Sequence, residues 1–184
     1  MARKTKTESA SFLKVYHVLI AYVLASTGLC VHLHLKEHNN LSVLQASLAF
    51  FLCLNALICL WEISLGLNID HIKKESERLK KEYKGDKLQA CLSFFLADVT
   101  VAEVFSLKFW SIVWSTYALY DPSYANKESF GFFIDVGNGW TTVLPSVFYC
   151  LGMTYEFVPA RVLGMIGLVK FYQVCDHCGL FIIM

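Results

Sequence analysis

Proline occurs three times in 184 residues, and Asp, Glu, Lys and Arg together make up 17% of the chain. So few prolines leave room for long uninterrupted helices. So little charge beside a hydrophobic content of 56% excludes an ordinary soluble domain. Signature motifs are also scarce. The chain has no GxSxG elbow, no paired Gly-Asp motif, no repeated HxxxH or HxxHH box among its six histidines, and no second CxxC to join the one at Cys175 and Cys178. Those gaps remove the marks of intramembrane proteolysis, of a histidine-box di-iron oxidase and of a four-cysteine zinc module. The formal net charge is only +1, which gives no electrostatic footprint for nucleic acid. The apolar runs are continuous rather than alternating, which argues against a transmembrane barrel.

What remains is long apolar runs. Crossing a bilayer as a helix takes about 20 mostly apolar residues, and four stretches satisfy this, over 12–35, 41–64, 96–120 and 140–158. The pattern predicts an all-α polytopic membrane bundle with four transmembrane helices, a single membrane domain covering 1–184. Spans two and three are expected to form a hairpin that protrudes over 65–95, and a C-terminal helical piece is expected over 160–173. Leu65, Ile69, Ile72, Ser76, Leu79 and Tyr83 recur at alternating steps of four and three with Lys and Glu between them. This is an amphipathic helix continuing out of the membrane, and Gly85-Asp86 reads as its turn.

Charge placement sets the expected orientation. Arg3, Lys4, Lys6 and Lys14 precede the first span and seven Lys or Arg lie between 73 and 87, whereas the other two connections carry only Lys36 and Lys127. By the positive-inside rule the N-terminus and the hairpin face the cytoplasm, and four crossings return the C-terminus there. The first apolar stretch is too long for a signal-peptide core and is read as a retained anchor. Trp61 is expected at the inner boundary, and Trp110, Trp114, Tyr117 and Tyr120 in an outer aromatic belt. Residues 121–139 read as an outer loop, with the Asp135 to Trp140 segment as a turn into span four and Asp135 or Asn138 as its cap. Pro145 and Pro159 interrupt that last span, Pro159 ending or kinking it near Glu156.

Two faces are marked for packing. His17, Ala21, Ala25, Gly28 and His32 share an arc of span one, whose small residues would let another backbone approach. Asn55, Cys59, Glu62 and Gly66 make a polar and small stripe on span two, aimed into a bundle. His34 and His38 share a face at the outer end of span one, where His32 points elsewhere. Five of the seven cysteines, Cys30, Cys53, Cys59, Cys91 and Cys150, fall inside apolar segments, where a thiol behaves as a small hydrophobe.

Six ionisable residues lie in or beside the apolar helices: Glu62, Asp98, Glu103, Lys108, Glu156 and Arg161. Each is costly in hydrocarbon, and counting from the expected boundaries puts all but Lys108 toward the inner third of the membrane. Such a cluster can be an ion-pair network that fixes helix register, a path for protons or cations with Glu62 and Glu103 as relays, or a metal site completed by a histidine. Glu103 also shares a face with Trp110 and Trp114, an acid beneath an aromatic column suited to a cation or headgroup. Cys175, His177 and Cys178 offer metal or redox chemistry without enough ligands of their own. No motif names a cofactor. The sequence therefore favours a non-enzymatic subunit of a membrane assembly that docks through the protruding hairpin, with the lipid bilayer and other membrane subunits or further copies as partners. A proton or cation pathway stands second, and a membrane enzyme or metal-binding protein third.

Overall fold

The computed structural model describes residues 13–168. Those residues are mainly helical, without a strand. In chain order the helices are α1 (Val15–His38), α2 (Val43–Leu67), α3 (Ile69–Glu82), α4 (Lys87–Phe95), α5 (Val101–Val104), α6 (Leu107–Trp110), α7 (Ile112–Tyr117), α8 (Ser123–Asn126) and α9 (Phe130–Tyr155), and the chain is helical again over 160–168. Among them, α1 and α2 are long and apolar enough to cross a membrane.

The three long helices pack into a bundle in which α9 runs antiparallel to α2. Gly139 meets Glu62 and Ile63 at one level, and Ser146 donates to Asn55 Oδ1 further along. Helix α1 lies against both, with the Tyr22 hydroxyl donating to the Cys53 carbonyl and a His38 ring nitrogen 2.6 Å from the Thr154 carbonyl. One end of the bundle therefore holds Lys14, Leu65 and Phe132, and the far end holds His38, Ser42 and Thr154. Side chains set two of the helix starts. Ser42 and Gln45 form a reciprocal capping box at α2, and Ser129 accepts from the Phe132 N–H to start α9, each worth about 1 kcal/mol.

Residues 69–128 build a head on the first end. Helix α3 turns off α2 at Asn68, whose side chain donates to the Ser64 carbonyl, and its apolar stripe is buried at Ile72, Ser76 and Leu79 against α7 and α8. The opposite face carries exposed Lys73, Lys74, Glu77, Arg78, Lys80 and Lys81. Gly85 supplies the positive φ of the turn, and Asp86 caps α4 by accepting from the Gln89 N–H.

The stretch 96–120 does not form one continuous helix. Thr100 and Glu103 make a capping box on α5 and Ser106 caps α6, so local side-chain bonds restart the helix twice, and α7 follows from Ser111 without a side-chain cap. Residues 97–99 are held against the chain entering α1, Val15 N–H donating to Ala97 and Val99 N–H to Leu13. The consequence is that Trp110 and Trp114 lie at the same end of the bundle as Trp61, with Trp114 Nε1 donating to the Trp61 carbonyl, rather than in an opposite aromatic belt. A second difference concerns 130–140, which is the first part of α9 and not a loop and turn. Position 139 of that helix needs glycine because α2 passes too close for any side chain. Helix α9 continues through Pro145 and stops where Glu156 takes a left-handed conformation at φ 52°. Past Pro159 the chain runs back along α9, with Leu163 against Gly152 and Gly167 against Tyr149.

Candidate functional site

The six ionisable residues do not converge. Asp98 is exposed and pairs with Lys14 at 3.2 Å. Glu103 caps its own helix, Oε2 accepting from the Thr100 amide and hydroxyl at 2.8 Å each. Lys108 is exposed on the head. Glu156 and Arg161 are exposed at the far end, where Glu156 lies 3.9 Å from a His38 nitrogen. Only Glu62 is buried. Counting residues along a presumed third span misplaced Asp98, Glu103 and Lys108, and because 96–120 stays at the head end, α9 begins there and carries Glu156 to the far end rather than back beside the head.

A different acid joins Glu62 at the junction of head and bundle. Asp135 is 2% exposed and its Oδ2 accepts the Tyr124 hydroxyl at 2.7 Å. It sits one turn before Gly139, on the α9 face that meets Glu62. Tyr124 is held by rings on three sides, stacked on Trp114 with centroids 5.5 Å apart and edge-on to Tyr117 and Phe132. Burial, and then the Asp135 carboxylate, push the Tyr124 phenol well above its ordinary pKa. It therefore stays protonated as a hydrogen-bond donor.

From this junction a seam of small polar groups follows the α2–α9 contact. Cys59 Sγ lies 2.9 Å from Thr142 Oγ1, and Ser146 bonds Asn55. The seam ends where Cys30 of α1, Cys53 of α2 and Cys150 of α9 bring their sulfurs together, with Cys150 Sγ 3.5 Å and Cys53 Sγ 3.8 Å from Cys30 Sγ. Comparison with protein-family models, curated proteins and solved structures finds no match. Function must be read from these side chains themselves.

Of the residues marked for packing, Asn55 and Gly66 lie in the α2–α9 contact, Gly66 against Val136. Ala21, Ala25 and Gly28 are exposed, and nothing lies within 4 Å of where a Gly28 side chain would begin. Cys175, His177 and Cys178 lie outside the described residues. On the head, His71 contacts Ser111 at 3.1 Å. The Ser111 hydroxyl donates to the Lys108 carbonyl, which leaves His71 Nδ1–H as donor to Ser111. Burial first, and then the positive charges of Lys108 and Lys74, lower the His71 pKa.

Proposed function

We propose that the chain is an integral membrane protein acting as a non-enzymatic subunit of a membrane assembly, joined to a neighbouring transmembrane helix through the outer face of α1. In this reading α1 and α2 cross the bilayer with α9 packed along them, and the head with its Lys-rich α3 face lies on the cytoplasmic side. The observation that carries it is the open stripe of Ala21, Ala25 and Gly28 on a helix apolar enough to span. Small residues facing lipid leave a shallow groove that acyl chains fill poorly. A second backbone fills it well, and such contacts drive helix association where no hydrophobic effect acts between spans. Scattering of Asp98, Glu103, Glu156 and Arg161 weakens the pathway reading at the same time.

Native mass spectrometry of the full chain gently extracted from its own membrane tests the proposal, alongside Ala25→Leu/Gly28→Leu. The wild-type spectrum should carry a second polypeptide, either another subunit or another copy, and the double variant should lose it roughly 10-fold. A wild-type monomer, or association indifferent to the substitutions, would overturn it. The buried acids Glu62 and Asp135 favour a second reading, proton or cation movement along the polar seam. That reading requires flux in proteoliposomes that Glu62→Gln abolishes.

A further inference from the structure

A cysteine in an apolar helix needs only to be packed, and any small hydrophobe packs as well. Packing alone gives no reason for thiols from three separate helices to meet. Cys30, Cys53 and Cys150 do so, 23 and 97 residues apart in sequence, with all three sulfurs within 4.8 Å of one another. Sulfurs bound at about 2.3 Å around one metal in a plane stand about 4.0 Å apart. The observed 3.5 and 3.8 Å fit that triangle with shifts of a few tenths of an ångström.

The neighbouring turn adds an independent observation. His34 follows Cys30 by four residues and so shares its helix face. It is 3% exposed, and its Nδ1 has no hydrogen-bond partner among the described residues. Buried imidazole nitrogens are ordinarily bonded, and an orphan marks a water, an ion or a function. His34 in turn lies 4.5 Å, centroid to centroid, from His38. The short contact to the Thr154 carbonyl uses His38 Nε2–H, and His38 Nδ1 lies on the side of Glu156. Donors therefore run from the far end of the bundle inward: Glu156, His38, His34, then three sulfurs.

We infer that Cys30, Cys53 and Cys150 form a three-sulfur binding site for a soft monovalent metal ion of the Cu(I) type, reached from the far end past His38 and His34. Thiol sulfur selects soft ions, and three donors suit Cu(I), whereas zinc in a structural site takes four. The sulfurs bind as thiolates, so loading the site releases protons and its affinity rises with pH. The site does not depend on what the outer face of α1 contacts.

The experiment is anaerobic titration of the full-length protein in nanodiscs with Cu(I) against a chromophoric Cu(I) chelator, repeated in a Cys175→Ser/Cys178→Ser background. One Cu(I) per chain should be retained in that background. Cys30→Ser, Cys53→Ser and Cys150→Ser should each weaken binding by more than the roughly 10–100-fold that loss of an outer-shell partner costs, and Cys91→Ser on the head should change nothing. X-ray absorption of the loaded background protein needs no variant of the triad, and it should show a sulfur-only shell at about 2.3 Å. Retention of Cu(I) by the three serine variants, loss of binding in the Cys175→Ser/Cys178→Ser protein, or a nitrogen- and oxygen-dominated shell would each overturn the site. A disulfide between Cys30 and Cys150 in protein from native membranes would overturn it too.

Discussion

Where α2 and α9 pass each other, the contact is made by what is missing. A Cβ at Gly139 would stand 2.8 Å from the Ile63 nitrogen and 3.0 Å from the Cys59 carbonyl oxygen, so backbone touches backbone. In the head the contact is made by bulk. Trp114, Tyr117, Tyr124 and Phe132 pack ring on ring, over short helices of which α4, α5 and α6 are capped by Asp86, Thr100 and Ser106. The difference is the one expected if, as proposed, the bundle lies in lipid and the head in water: between spans only close packing and hydrogen bonding hold helices together, whereas a head in water gains from every buried aromatic surface.

That contrast is tested most severely at Gly139. Gly139→Ala should destabilise the bundle by about 3 kcal/mol, the upper range for overpacking, because the obstructing atoms at 2.8 and 3.0 Å are backbone that cannot rotate away. Gly137→Ala, two residues earlier with nothing within 4 Å, should be neutral or stabilising by up to about 1 kcal/mol through helix propensity. Unfolding in mixed micelles reads both. Equal effects would mean that α2 and α9 do not approach this closely.

The head should respond to lost polar contacts instead. Tyr124→Phe keeps the ring packing but removes the hydroxyl that Asp135 accepts at 2.7 Å. Hydrogen bonds to a charged group contribute about 1.5–3 kcal/mol. The expected loss is near 2 kcal/mol, seen in the head's tryptophan fluorescence during urea unfolding. A change below about 0.5 kcal/mol would show that Asp135 is held by other partners and that the head and bundle are less coupled than this bond implies.

The same contrast explains what the chain revealed in advance. The stripe from Leu65 to Leu79 was legible because a solvated helix writes its buried face as a 3.6-residue period. Asn55, Cys59, Glu62 and Gly66 were legible as small and polar residues on one face of an apolar helix. The partner stripe was equally readable, since Thr142, Ser146, Cys150 and Thr154 recur every four residues and all are buried, but Pro145 and the glycines drew attention to breaks instead. The folding of 96–120 was hidden. Hydropathy averages over a window, while Thr100 and Ser106 act one at a time by capping. The thiol triad was hidden for another reason: no local spacing relates residues on three helices.

The gentlest test separates the two regions by pH. His71 is the titratable group of the head whose pKa is lowered from 6.5, by burial and by Lys108 and Lys74. Its folded pKa lies below the unfolded one, so the unfolded chain binds more protons between the two values. Head stability is then full above about pH 6.5 and declines as the pH falls through the unfolded pKa toward the folded one. Urea midpoints followed by fluorescence at pH 7.5 and 5.5 should therefore drop for the head at the lower pH. The expected drop is smaller than that from Tyr124→Phe, because Glu75 acts against the shift. His71→Gln keeps a donor for Ser111 without a titration and should flatten the difference. A pH dependence that survives His71→Gln would overturn the assignment of the head's acid sensitivity to His71.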